Sequence, residues 1–401
     1  MRCGIQLGHG MRGYTEELVD SWGPTLVMLG PRNFDSRGSS APDKLASFSR
    51  RIKKSGAITY IDPQLFSCKM PQKNLAAFPH CSACRQDLAE HFEEVIEELI
   101  ILNEAAETQA FVLPSNTTDI VDERWLRHQE NMVSVARGLT DKDIYATVAL
   151  TSDALRADGA IGLVASLAER MPIRGIYLVC EHPRGAYLTN DTLWLLNLMQ
   201  AVAAIRLSGK EVLVGYASHQ QLSLVLSKCT AIFSGSYLNM RHFATESFEA
   251  DDSDGPSRHA RWYYAPNLLS EYRTVTLDVA QQQGVLDVLR TPFEESRYAE
   301  LLFSGGMPSG TAYRDRDSFL HYLDSLRRQC SFFDRLTYRD SFEAYLGFLQ
   351  TAGRTVEALH QMGVYDRRRN YLDALDASES AVLAFDSEMG FQMNMAWEEI
   401  G

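Results

Sequence analysis

Short apolar runs rich in β-branched residues recur to about residue 285, and between them apolar side chains return at helical spacing. The runs fall at 5–7, 25–29, 57–61, 110–113, 144–150, 175–179, 211–215 and 231–233. Several are apolar at consecutive positions, as a strand covered on both faces requires. The intervening segments carry one apolar stripe each: Leu88, Phe92, Val95, Ile96 and Leu99 in one, Ile161, Val164, Ala165 and Ala168 in another. Ser55-Gly56, Gly138, Met171-Pro172 and Ser208-Gly209 punctuate helix ends shortly before the next strand. This alternation predicts an α/β fold with a parallel sheet and helical crossovers, and eight units predict closure into a (β/α)8 TIM barrel. An open doubly wound sheet competes, but no Gly-rich dinucleotide fingerprint follows the first strand.

Beyond residue 285 the β pattern fades, and helical spacing marks 318–329, 341–353, 355–362 and a last stretch ending near Trp397. The organisation expected is therefore a barrel over 1–285 and a helical C-terminal extension over 286–401. Leu29, Ile61, Leu113, Leu150 and Val214 are expected deep in the barrel core. The acidic run 246–258 reads as a loop at the barrel mouth, and Asp366-Arg367-Arg368-Arg369 as a solvated turn. Arg261-Trp262-Tyr263-Tyr264 reads as a packing surface for the last barrel helix or the extension, with stacking on a base as the alternative.

Composition narrows the functional classes. With 45% hydrophobic and 23% charged residues and no low-complexity tract, the chain is expected to be ordered nearly throughout. A formal net charge of −13 opposes nonspecific binding to nucleic acid, whose affinity comes from cations neutralising phosphates. No stretch approaches the roughly 20 apolar residues of a membrane span, and MRCGIQLGHG lacks a signal peptide's basic and apolar regions. A cytoplasmic protein is expected. Seven cysteines then read as reduced thiols, with Cys180 and Cys229 as small core residues.

In a closed parallel barrel the residues just after each strand converge on one face, where active sites of this architecture lie. Here they include His9, Arg32, Asp62, Asn116, Glu181, Arg184, His219, Asn239 and Arg241. Asp62 and Glu181, from strands on opposite sides of the ring, are the candidates for acid, base or nucleophile, with His219 beside them. His9, Arg32, Asn116, Arg184, Asn239 and Arg241 are the candidates for binding. The three arginines point to an anionic ligand, because a guanidinium fork matches a phosphate or carboxylate. A structural zinc is a further candidate, with Cys68, Cys81 and Cys84 completed by His91 or His80, since Cys81 and Cys84 have zinc-knuckle spacing.

The stretch GYASHQQLSLVLSKCTAIFSGSYLNMRHF, residues 215–243, resembles the seventh and eighth units of the tRNA-guanine transglycosylases and their DNA-modifying relatives. The resemblance implies a site shaped for a purine base or nucleotide, with Asn239 and Arg241 near the ribose phosphate. Two departures matter. Ser234 stands where that family has its nucleophilic Asp, and the family's cysteine-rich zinc cluster does not follow Phe243. The leading expectation is thus an enzyme acting on a nucleotide-like or other anionic substrate by glycosyl transfer or hydrolysis. The alternative is a non-catalytic barrel serving as a recognition or scaffold subunit that contacts a protein partner through its helical extension. A third reading, metal-dependent hydrolysis by His9, Asp62, Glu181, His182 and His219, lacks the HxH that many such enzymes carry after strand one.

Overall fold

The computed structural model describes the chain apart from residues 38–39, 68, 70–72, 86, 250–260, 291–295, 367–368, 370 and 401. Eight parallel strands form one sheet: β1 (Arg2–Gln6), β2 (Thr25–Leu29), β3 (Ala57–Ile61), β4 (Phe111–Val112), β5 (Ile144–Leu150), β6 (Gly175–Cys180), β7 (Glu211–Val214) and β8 (Ala231–Ser234). Their order, β3-β2-β1-β8-β7-β6-β5-β4, bends the sheet into a ring. β1 pairs with β2 on one side and β8 on the other, Ile5 standing opposite both Val27 and Ser234. Where β3 meets β4, Gln109 N–H donates to the Thr59 carbonyl at 2.9 Å and brings the ring nearly to closure. The fold is a (β/α)8 barrel followed by a helical C-terminal region.

The crossovers are α1 (Arg12–Trp22), α2 (Ala41–Lys53), α3 (Pro79–Ala83), α4 (Leu88–Ala106), α5 (Glu123–Leu139), α6 (Ser152–Arg156), α7 (Ala160–Arg170) and α8 (Thr192–Leu207). Side-chain caps set several starts: Asp122 accepts from Trp125 N at 2.7 Å, and Asp191 from Trp194 N at 2.9 Å. The crossover after β7 is a 3-10 turn, His219–Val225, with all seven residues buried. The five expected core residues Leu29, Ile61, Leu113, Leu150 and Val214 are buried between strands and helices. Inside the ring, Tyr60 meets Tyr145 and Phe233 edge-on, at 5.9 and 6.2 Å between centroids. Gly4 makes room for this filling, since a Cβ there would lie 2.6 Å from the Phe233 ring.

The eighth unit is elaborated. After β8 come two 3-10 turns, Leu238–Met240 and Thr245–Phe248, then an antiparallel hairpin of β9 (Trp262–Ala265) and β10 (Ser270–Arg273), then α9 (Thr274–Gln282). The hairpin bears out Tyr263 and Tyr264 as packing residues. They are buried against α10 (Asp315–Phe333), Tyr263 stacking on His321 at 5.0 Å and Tyr264 meeting Tyr322 at 5.1 Å. α10 also packs on β1 and α1, completing the outer layer beside the first strand. The two helical segments read at 341–353 and 355–362 are one helix, α11 (Tyr338–Gln361), because Gly353 lies inside it without interrupting the turn. α11 pairs with α12 (Tyr371–Ala396), which in turn lies on α8. Among the described residues no helix is long and apolar enough to cross a membrane.

Candidate functional site

Asp62 follows β3 by one residue and points into the mouth of the ring, fully buried. Its Oδ2 accepts from Tyr216 Oη at 2.6 Å, Tyr177 Oη at 3.2 Å and Gln6 Nε2 at 3.5 Å, and its Oδ1 from Gln64 N–H at 3.0 Å. Gln64 ties the site to the end of β2: its Oε1 accepts from Arg32 N–H at 3.0 Å while its Nε2 donates to Tyr216 Oη at 3.1 Å. One carboxylate therefore gathers groups from β1, β6 and the residues after β3 and β7. Burial pushes the Asp62 carboxyl up to about 6, against the lowering effect of its hydrogen bonds from Tyr216, Gln64 and Tyr177 and of the Arg32 charge. Burial and the Asp62 charge raise both tyrosines well above the usual phenol range, so they remain protonated donors.

The backbone is shaped around this carboxylate. Gln64 and Tyr216 both hold left-handed conformations, with φ of 58° and 54°, which cost about 1–3 kcal/mol each for ordinary residues and concentrate at functional sites. Gly30 and Gly215 supply clearance. A Cβ at Gly215 would come 2.3 Å from Tyr177 Oη, and one at Gly30 would come 2.5 Å from Gln64 Nε2.

Above Asp62 the segment 243–249 crosses the mouth. Phe243 pairs with Glu181 as an isolated parallel bridge, and Thr245 donates to Glu181 Oε1 from both its N–H, at 3.0 Å, and its hydroxyl. Ser247 O accepts from Arg32 Nη1 at 2.7 Å, and the Phe248 ring lies 4.1 Å from the Arg32 guanidinium carbon. Glu249 accepts from Ser67 Oγ at 2.7 Å. Phe243 and Phe248 meet Phe66 at 4.7 and 4.8 Å, making an aromatic seal over the carboxylate.

A second buried polar cluster joins the mouth to the C-terminal region. Arg241 donates to Glu271 Oε1 at 2.7 Å and to the carbonyls of Gly235 and Ser236 at 2.7 and 2.9 Å, with its guanidinium carbon 3.3 Å from the centre of the Tyr322 ring. The other Glu271 oxygen takes Arg369, which lies over Trp262 at 3.8 Å. Burial raises the Glu271 carboxyl, but Arg369 and Arg241 outweigh it and hold it below the usual range. His219 lies in this cluster rather than beside Asp62. Its Nδ1 is 3.5 Å from Tyr187 Oη, its ring is 4.9 Å from Tyr264, and burial lowers it to about 4, so it is neutral at pH 7.

The residues expected around one pocket thus occupy separate places. Asp62 and Arg32 share the sealed mouth, Glu181 anchors the segment above it, and Arg241 and His219 belong to the second cluster. His9, Arg184 and Asn239 are exposed. Asn116 is half-buried, donating to the Leu65 carbonyl at 2.8 Å. Pattern reading missed Gln6 and Tyr177, which sit within strands, and Tyr216, Glu271 and Arg369. Glycine directly after β2 and β7 was the available signal for crowding at Asp62.

The zinc expectation is corrected. Cys84 is disulfide-bonded and so is not a thiolate ligand, which also corrects the reading of all cysteines as reduced. Cys81 is a buried free thiol raised to about 11 by burial, a poor source of thiolate. His80 is buried with Nε2 on the Pro63 carbonyl at 3.2 Å, His91 sits half-buried at a kink in α4, and Cys68 lies outside the described residues. Among the described residues no three His, Cys, Asp or Glu side chains are grouped to hold a metal. The rim histidines do not supply one either, His182 being buried with Nδ1 on the Ala186 carbonyl at 3.0 Å.

Compared with known proteins, the chain matches no family model and no curated protein.

Proposed function

We propose that the barrel is an enzyme in which Asp62 moves a proton to or from an anionic, nucleotide-like substrate at the C-terminal mouth. The observation that carries this reading is a fully buried carboxyl raised to about 6, with two tyrosine hydroxyls trained on one oxygen and, among the described residues, no cation in hydrogen-bond contact. A general acid or base works best when its pKa lies near the working pH. Perturbed carboxyls and left-handed backbone both concentrate at catalytic sites. The nucleotide-like substrate class rests on the resemblance of residues 215–243 to the transglycosylases. Ser234 in place of their Asp removes the carboxylate nucleophile, so hydrolysis assisted by Asp62 is favoured over base exchange through an aspartyl intermediate.

Turnover screening against nucleotides and sugar phosphates, with binders first found by thermal shift, tests the reading. Asp62→Asn should lower turnover of the responding substrate by about a hundredfold or more while binding persists. Full turnover by that variant would exclude Asp62 as the proton-handling group.

A scaffold role is the second reading, favoured by the segment 243–249 filling the mouth. It requires that Asp62→Asn and Glu181→Gln keep full biological activity while disruption of α11 and α12 destroys it.

A further inference from the structure

We propose that Arg32 is an oxyanion subsite for a phosphate or carboxylate group, and that segment 243–249 is a cap occupying it until that group arrives. The inference deepens the enzyme reading and rests on it for the chemistry, though not for the binding.

Arg32 is only 6 % exposed, yet its guanidinium is poorly compensated. Nη1 reaches a neutral carbonyl, Ser247 O, the Phe248 ring covers one face, and Nη2 has no hydrogen-bond partner among the described residues. A buried cation left with one neutral acceptor is costly, whereas an oxyanion presents two oxygens to the fork and supplies the opposing charge. The second cluster shows what compensation looks like in this protein, where Arg241 meets the Glu271 carboxylate and two carbonyls. Asp62 acts on the Arg32 guanidinium only through its charge, while Gln64 links the two residues, its backbone N–H donating to Asp62 and its side-chain Oε1 accepting from the Arg32 backbone N–H. An anionic group on Arg32 would therefore bring the rest of its molecule beside Asp62.

The cap competes with an oxyanion for Arg32. Its carbonyl on Arg32 and its ring on the guanidinium are the contacts an incoming oxyanion replaces. Its other attachments include hydrogen bonds to Glu181, Thr117 and Ser67, which water can satisfy, and the packing of Phe243 and Phe248 on Phe66, which an incoming group has to displace. Because the capped state withholds the subsite, apparent affinity is reduced by the fraction of chains that are uncapped.

Hydrogen exchange at the amides of 243–249 and calorimetric titration of the full chain, with inorganic phosphate and separately with acetate, test the proposal. In the unaltered protein one anion should bind per chain and speed exchange across 243–249. Phe248→Leu keeps an apolar plug but removes the ring from the guanidinium, and should tighten binding about tenfold. Arg32→Gln should abolish binding, and Arg32→Lys, which keeps the charge without the fork, should weaken it. Preference for phosphate or for acetate names the oxyanion, and either supports the subsite. No saturable binding to the Phe248→Leu chain, binding that survives Arg32→Gln, or binding without faster exchange in the unaltered protein overturns it. Asp62→Asn separates the two ideas, since it should still bind the anion. Anion binding with full turnover in that variant removes the catalytic reading and leaves the subsite, whereas lost turnover without any anion binding in the unaltered chain does the reverse.

Discussion

Asp62 and Glu271 are both buried carboxyls on the C-terminal side of the barrel, and the protein treats them in opposite ways. Glu271 is clasped by Arg241 and Arg369 and held below the usual carboxylate range, whereas Asp62 has hydroxyl and amide donors but, among the described residues, no contacting cation, and is raised. Burial acts on both in the same direction. The difference is whether a guanidinium lies within hydrogen-bond distance, and it separates a group that locks two parts of the chain together from one left free to exchange a proton.

The sharpest way to break this comparison is to remove the lock. Arg241→Ala leaves Glu271 buried with Arg369 as its one remaining charged partner among the described residues, and should cost about 3–5 kcal/mol in urea unfolding. A loss below about 1 kcal/mol would show that the Arg241–Glu271 pair does not lock this part of the molecule.

Next in size is the pH dependence set by Asp62. Its carboxyl is raised from 3.8 to about 6 on folding, so the folded state holds the proton more tightly. The resulting stabilisation is complete below about pH 4 and is lost as pH rises through about 6, a change of about 3 kcal/mol. Glu271, lowered on folding, contributes in the reverse sense, its stabilisation being present above its unfolded value and lost on acidification. Unfolding free energies of the parent and of Asp62→Asn, measured from pH 4 to 8, should differ by the decline assigned to Asp62. Curves that run parallel across that range would contradict the raised carboxyl.

A smaller effect is expected at Gly215. An alanine there would press on the Tyr177 hydroxyl and displace a donor from Asp62, with a destabilisation of about 1–3 kcal/mol. With one donor gone the carboxyl should rise further, so the steep part of the pH curve should move upward. Loss of stability without that movement would mean the glycine serves packing alone.

The smallest effect sharpens the comparison from outside. Arg339 and Glu343 pair on the exposed face of α11 at 3.0 Å, both more than half exposed. Replacing Glu343 by Gln should change stability by no more than about 0.5 kcal/mol, against the several expected for the buried Arg241–Glu271 pair. Comparable losses at the two sites would mean that burial does not decide the strength of these ion pairs.

How far each feature could be read from the chain follows from the range of the interaction that makes it. The eight strands, the crossover helices and the core positions Leu29, Ile61, Leu113, Leu150 and Val214 were legible because burying an apolar face imposes a local period on the residues beside it. Asp62 and Glu181 were legible as mouth residues for a related reason, since the direction of a parallel strand fixes the face on which its following residues emerge. Which arginine was compensated was not legible. Arg32 and Arg241 both lie in loops that follow their strands, and only folding brings Glu271, with Arg369 on its other oxygen, to one of them. Gln6 and Tyr177 look like ordinary strand residues until the ring brings them around Asp62. Cys81 and Cys84 have the spacing of metal ligands, a spacing that does not distinguish a bound metal from the oxidation of Cys84 to a disulfide. Periodicity follows from solvent and is written residue by residue, whereas pairing between charges follows from distance and exists only once the chain has folded.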